Sequence, residues 1–259
     1  MAKKILCIRL GGGLVINMQT LRVLSWNILH GGGSRCDQIL ETIAKSEADI
    51  VTLQEFRHGA NKITLLEGLA ELGLTTVFAP ATQTARENSL LIASRLPMQS
   101  EVFPADRSGQ VHMLKSCIEV SSLVSLNVIA VHFPQKRAQF PLFEELLELP
   151  SMWIDDYSLL IGDFNCGIPL LDSETKTFYS THLFQQLLNS GWRDAWRELH
   201  PDDREYTWIS TRKGNGFRYD HVLVSAALND LVISAEYNHK VRENKISDHS
   251  ALLVELDCR

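Results

Sequence analysis

No apolar run in this chain approaches the roughly 20 residues needed to cross a bilayer, so no membrane association is expected. The opening stretch, Met1 to Leu10, pairs two lysines with apolar residues. Arg9 and Gly11 to Gly13 interrupt it and no small-residue cleavage site follows, which argues against export. Cysteine is sparse: Cys7, Cys36, Cys117, Cys166 and Cys258 are odd in number, scattered, and form no C-x-x-C pair. That speaks against a disulfide framework and a structural zinc site, and makes a reducing cytoplasm the expected location. An excess of positive charge is missing too. A net charge of −6 speaks against a protein that coats nucleic acid indiscriminately, though not against one that grips phosphates locally. Linkers, low-complexity tracts and charge blocks are absent, so nothing divides the chain. Met18 just precedes the first convincing strand, and the expected organisation is an extension over residues 1–17 followed by one domain over 18–259.

What is present is ordinary globular material, 45% hydrophobic and 22% charged, enough for a sizeable core. Leu21 to Ser25 reads as a strand ending at Trp26-Asn27, and Cys36 to Ser46 has helical spacing through Ile39, Leu40 and Ile43. Asp49 to Glu55 reads as a buried strand ending in a carboxylate, and Ile63 to Leu72 as a helix closed by Gly73. Strand-like runs follow at Thr75–Ala79, Ser89–Ser94, Met113–Val120 and Ser125–Val131, with short links that suggest antiparallel pairing. A helix over Phe140–Leu149 precedes the strand Ser158–Ile161. A second helix over Thr181–Asn189 leads to strands near Tyr206–Ile209, Asp220–Val224, Val232–Tyr237 and Ala251–Leu256. Strand-rich runs with helices between them predict an α+β fold, a four-layer α/β/β/α sandwich of two packed mixed sheets flanked by helices.

Hydrophilic residues collect where these strands end: Asn27, Glu55, His132, Asp163 with Asn165, Asp220, and Asp248-His249. Any one of them suits a cap or turn. Gly162-Asp163-Phe164-Asn165 by itself fits a turn as well as a site. If the strand continued through it, Asp163 and Asn165 would project to the same side. Sheet ends on one side of a sandwich lie close together, so the set could converge on one pocket. Asn and Glu oxygens suit Mg²⁺ or Mn²⁺, an Asp beside an Asn can orient a water, and a His supported by an Asp can donate to a phosphate oxygen. Together they are equipment for phosphoester hydrolysis.

The ordered segments Leu-Ser-Trp-Asn27, Asp-Ile-Val-Thr-Leu-Gln-Glu55, Asn88-Ser-Leu-Leu-Ile-Ala-Ser-Arg95-Leu-Pro97, Ala-Val-His132-Phe-Pro, Ile-Gly-Asp163-Phe-Asn165, Phe-Arg218-Tyr-Asp220 and Ser-Asp248-His249 resemble the endonuclease/exonuclease/phosphatase superfamily, with its deoxyribonuclease I-like fold. The resemblance implies that Asn27 and Glu55 hold a divalent cation, Mg²⁺ or Mn²⁺, with Asp248 a further contact. Asp163, helped by Asn165, would orient or deprotonate water. His249 paired with Asp220 would contact the phosphate, and His132 would be a second donor. Gly191 to Pro201, Tyr206 to Trp208 and Gly216 to Asp220 look most like the exonuclease III and abasic endonuclease branch, which implies substrate contacts at Asn88, Trp208, Phe217 and Arg218. Two of Trp192, Trp196 and Trp208 are expected to be core fillers, and Cys166 an idle thiol. The chain departs from that branch at His132, where a tyrosine is common, and at Leu29, where a polar group is common. Basic residues at Lys136-Arg137, Arg212-Lys213, Arg218 and Lys240-Arg242-Lys245 could form a phosphate-gripping rim. The expectation is a divalent-metal-dependent hydrolase of phosphodiesters, a nuclease acting on DNA. The alternative is a phosphatase or phosphodiesterase for a small or lipid-linked phosphate.

Overall fold

A computed structural model of the chain describes residues 19–103, 110–121, 124–149, 151–176 and 178–258. The extension expected over residues 1–17 lies outside them. In chain order the elements are β1 (Thr20–Asn27), α1 (Cys36–Ser46), β2 (Ile50–Phe56), α2 (Lys62–Glu71), β3 (Thr76–Phe78), β4 (Ser89–Ser94), β5 (Met98–Val102), β6 (Met113–Glu119), β7 (Ser125–His132), α3 (Phe140–Leu147), α4 (Met152–Asp155) and β8 (Ser158–Asp163). The second half continues with α5 (Thr181–Asn189), β9 (Arg193–Asp194), α6 (Ala195–Leu199), β10 (Trp208–Ile209), β11 (Gly216–Phe217), β12 (Asp220–Val224), α7 (Ala226–Asn229), β13 (Val232–Asn238), α8 (Lys240–Glu243) and β14 (Ala251–Asp257).

Two six-stranded sheets, ordered β13-β14-β1-β2-β4-β3 and β5-β6-β7-β8-β12-β9, face one another, and β10 and β11 form a separate ribbon. Both sheets are mixed. The parallel pairs β1–β2 and β7–β8 are the two places where helices carry the chain back over a sheet, and the neighbouring pairs are antiparallel.

Alternation sorts the strand residues into layers. Leu21 and Val23 of β1, Ile50 of β2, Val128 and Ala130 of β7, Leu159 and Ile161 of β8, and Val222 and Val224 of β12 pack together between the sheets. Their neighbours Leu24, Trp26, Val51 and Leu53 turn outward onto Ile39 and Ile43 of α1 and Leu65 and Leu69 of α2. On the other side Ile129, Leu160 and Leu223 meet Phe143 of α3 and Phe184 of α5. Each fully buried Leu, Ile or Phe stabilises the fold by about 1.5–3 kcal/mol. The result is the expected four-layer sandwich.

Seven short elements, β5, α4, β9, α6, β11, α7 and α8, had no clear sequence signal. β5 is a half-buried edge strand whose Gln99 and Glu101 break the hydrophobic pattern, and it forms by pairing along β6. The four residues of α4 are too few for a periodicity.

Candidate active site

The inward phase of the strands carries past the core to the open end of the sandwich. Continuing from Val23 inward gives Ser25 and then Asn27; from Ala130, His132; from Ile161, Asp163; and stepping back from Val222, Asp220. Asp163 sits between its two strand neighbours, paired in register with His132 of β7 on one side and Asp220 of β12 on the other. The close approach depends on Gly162, at φ +143°, where a Cβ would lie 2.1 Å from the Val131 carbonyl oxygen. No other residue type fits there.

Asp163 is almost completely buried, and its Oδ2 is the centre of the cluster. Asn27 Nδ2, from the facing sheet, donates to it at 3.2 Å, His249 Nε2 lies 3.8 Å away and His132 Nε2 3.9 Å. His249 Nδ1 meets Asp220 Oδ2 at 2.8 Å. Burial, with Asp220 nearby, pushes the Asp163 carboxyl up to about 7 against the opposing His249. Burial would lower His249, but Asp220 first and Asp163 second push it up to about 10. His132 goes the other way: burial takes it down to about 4 although Glu55 opposes this, so near neutral pH it is an uncharged donor. Three adjacent groups thus hold different protonation preferences, as acid–base chemistry requires.

Glu55 reaches the site through a change of phase. Strand alternation would send it outward with Val51 and Leu53, but β2 shifts register against β4 between Gln54 and Phe56, and Glu55 adopts φ +58°. Phe56 takes the outward place and Glu55 turns inward. Asn27 Nδ2 lies 3.4 Å from Glu55 Oε1, and the His30 amide donates to Oε2 at 2.8 Å. Burial alone would raise the Glu55 carboxyl, but His132, His30 and Asn27 together hold it below its ordinary value.

Other expected residues fall around this centre. Asp248 accepts from Trp208 Nε1 at 3.0 Å. Trp208 belongs to a half-buried group of rings with Phe217, Tyr219 and Phe178, in which Phe217 and Tyr219 stack at 5.1 Å. Asn88 accepts from Arg57 Nε at 2.6 Å. Trp192 and Trp196 are core residues, and burial raises the Cys166 thiol to about 12.

Two readings are corrected. β8 stops at Asp163, and Asn165, at φ +47°, does not continue the strand. Its amide nitrogen donates to the Phe133 carbonyl at 2.8 Å, and its backbone N–H to Asp163 Oδ1 at 2.9 Å, so it braces Asp163 through a turn. Arg218 is no substrate contact or rim residue: it is 1% exposed. It donates from Nη2 and Nη1 to Asp194 Oδ2 and Oδ1 at 2.6 and 3.1 Å, and from Nε to Asp172 Oδ1 at 2.8 Å, with its guanidinium over Trp196. Arg242 likewise turns inward, onto Ser250.

Sequence reasoning passed over His30, His221 and the Asp172–Asp194 pair. His221 reaches Asp194 Oδ2 at 3.3 Å and the Cys166 carbonyl at 2.8 Å, tying β12 to the turn after Asp163. The phase rule that sends Asp220 inward sends His221 outward, so this contact was available from alternation.

The donor chemistry was tested for a divalent cation. Among the described residues, Asp163, Asp220 and His249 are the His, Cys, Asp and Glu side chains whose ligand atoms gather within 4.8 Å. Asp220 Oδ1 in that group is buried without a hydrogen-bond partner. A protonated His249 offers no lone pair, however, and its Nδ1 is already committed to Asp220. Asn27 meets Glu55 and Asp163 through Nδ2, and its Oδ1 accepts from the Leu29 N–H at 3.1 Å. The amide and carboxylate oxygens of Asn27 and Glu55, with no thiol among them, are the donor type that suits a hard cation. The residues fit such an ion.

Buried carboxylates of split acidity, beside a charged imidazole and a hard-cation ligand set, define a hydrolytic centre for phosphoesters. Residues 24–249 match the family model described as Endonuclease/Exonuclease/phosphatase family, and the chain belongs to that family. It is similar in fold to an AP endonuclease from Archaeoglobus fulgidus, with TM-score 0.77 and 18% identity over 92% of this chain and 99% of that one. It is also similar to the 3'-5' exonuclease NExo from Neisseria meningitidis, at TM-score 0.76 and 23% identity over 92% and 100%. A structure of the 3' phosphatase NExo from Neisseria bound to product DNA hairpin gives TM-score 0.76 and 22% identity over 92% and 99%. Among the described residues no helix is long and apolar enough to cross a membrane.

Proposed function

We propose that this protein is a nuclease that hydrolyses phosphodiesters in DNA with the help of Mg²⁺ or Mn²⁺, acting in the cytoplasm through one domain over residues 18–259. The observation that carries the reading is Asp163, held in register between His132 and Asp220 and bonded by Asn27 from the facing sheet. Asn27 and Glu55 would hold the cation, with Asp248 a further contact, and the ion would supply charge neutralisation at the phosphate. Asp163 takes the proton of an attacking water, its backbone-bonded Oδ1 fixing the direction of Oδ2. His249, kept protonated by Asp220, donates from Nε2 to a phosphate oxygen as negative charge builds. His132 adds a neutral N–H. The half-buried rings of Trp208, Phe217 and Tyr219 offer faces for a sugar or base beside Asp248. DNA as substrate is supported by the fold shared with DNA-processing enzymes.

The alternative, a small phosphoester, draws on the uncharged His132 and the net charge of −6. One experiment decides. Purified protein with Mg²⁺ or Mn²⁺ is offered plain, nicked, abasic and 3'-phosphorylated oligonucleotides and a panel of small phosphoesters, with Asp163→Ala as the blank. Cleavage of an oligonucleotide that weakens steeply with added salt supports the nuclease. Turnover confined to small esters and indifferent to salt overturns it.

A further inference from the structure

Five consecutive residues, Leu29 to Gly33, have positive φ between 54° and 77°, and the first two carry side chains that seldom adopt it. This left-handed run folds onto Glu55. The His30 N–H donates to Oε2 and the Gly31 N–H to the Glu55 carbonyl oxygen, each at 2.8 Å. The His30 ring, with 56% of its side chain exposed, returns to the same carboxylate, Nδ1 to Oε2 at 2.7 Å. Backbone strain of this kind persists only where its surroundings hold it. Asn27 Oδ1 and Arg35 hold Leu29 and Asn61 holds Gly33, while the contacts of His30 and Gly31 end on Glu55.

His30 Nδ1 has a second neighbour, Arg57 Nη2 at 2.9 Å. One ring nitrogen can donate to a carboxylate or accept from a guanidinium, but not both. The shorter contact is the one to Glu55, and Arg57 is separately anchored by Asn88. Glu55 Oε2 is therefore gripped from outside by an amide and an imidazole, while Oε1 faces Asn27 Nδ2, which also donates to Asp163.

We infer that His30 is a positioning residue for Glu55, fixing Oε2 so that Oε1 is presented to the divalent cation. The inference rests on the proposed function, in which Glu55 holds that cation. Partners of this kind typically change metal affinity by about 10–100-fold. Without the imidazole, the backbone amide of residue 30 is left to grip Oε2 alone.

The test is Mn²⁺ binding to metal-free, full-length protein, read by calorimetry and electron paramagnetic resonance, on wild type, Glu55→Ala, His30→Ala and His30→Asn. Asparagine tolerates positive φ, and its Nδ2 can stand where Nδ1 stood. The expected pattern is loss of binding in Glu55→Ala, affinity weakened about 10–100-fold in His30→Ala, and most of it regained in His30→Asn. His30→Ala binding like wild type overturns the inference and leaves Glu55 as a ligand. Equal loss in both His30 variants assigns the effect to the backbone and also overturns it. No Mn²⁺ binding by wild type, or full binding by Glu55→Ala, overturns the cation reading and this inference with it.

Discussion

His249 Nδ1 donates to Asp220 Oδ2 at 2.8 Å, and this bond, more than any other contact, keeps the imidazole charged inside the protein. The two residues come from different segments: Asp220 opens β12, and His249 stands two residues before β14, bridged to Trp208. Replacing Asp220 with asparagine keeps the shape and removes the charge. His249 then loses the largest contribution raising it, and the alkaline limb of the pH–rate profile should move down from about 10 by about one unit or more. The rate at neutral pH should fall by about 10²–10⁴-fold. An unmoved limb in Asp220→Asn would show that His249 does not owe its charge to this bond.

The acid limb belongs to Asp163. A base must be ionised, and burial has raised this carboxyl to about 7, so activity should climb as pH rises toward neutrality. A cation at Asn27 and Glu55 favours the ionised form, placing the limb at or below 7. Initial rates measured from pH 4 to 8 at saturating Mn²⁺ check this. A flat profile over that range would remove Asp163 from the role of base.

The same shift has a consequence for stability. Below about 4, the Asp163 carboxyl is neutral in both the folded and unfolded chains. Between there and about 7 the folded state still holds the proton that the unfolded state has released, and each step up in pH takes stability away. Above 7 the full cost of a buried charge remains. Metal-free Asp163→Asn should therefore melt at the same temperature as wild type near pH 4 and higher than it at pH 8. The scale is about 2–4 °C for each kcal/mol recovered. Parallel thermal melts at the two pH values give the answer. Lower stability of the variant at pH 8 would mean that the charge is compensated after all.

Much of this site is legible in the sequence alone. Asn27, His132, Asp163 and Asp220 follow from alternation carried past apolar strands, because the period that buries Val23 and Ile161 dictates what lies beyond them. Glu55 was found for a weaker reason, since its inward turn depends on a bulge that no local pattern announces. At Asn165 the sequence leaves a turn and a continued strand both open, and the φ of +47° makes it a turn. Arg218 was misplaced because its partners, Asp172 and Asp194, lie 46 and 24 residues away in sequence. A charge that looks like a rim residue becomes a core residue only when such distant carboxylates converge. His30 stayed hidden because a histidine beside three glycines reads as an exposed turn, and the ring is indeed mostly exposed.

Arg218 gives the last prediction. Its guanidinium is fully enclosed, and burial would neutralise it were Asp194 and Asp172 not on either side. Asp194 in turn is held well below the usual carboxylate range by Arg218, then His221, against its own burial. Arg218→Met takes the guanidinium from Asp194 and leaves Asp172 with Arg197 alone, and breaking a buried pair from one side costs about 3–5 kcal/mol. The melting temperature should drop by about 10 °C. Because β12 carries Arg218's neighbour Asp220, and His221 pins the turn after Asp163, the loss should also lower kcat. KM for DNA should change little at temperatures where the variant is folded, since the side chain has no surface to offer a phosphate. The rim reading expects the reverse, a higher KM and an unchanged melt, so one variant and two measurements separate a strut from a substrate contact.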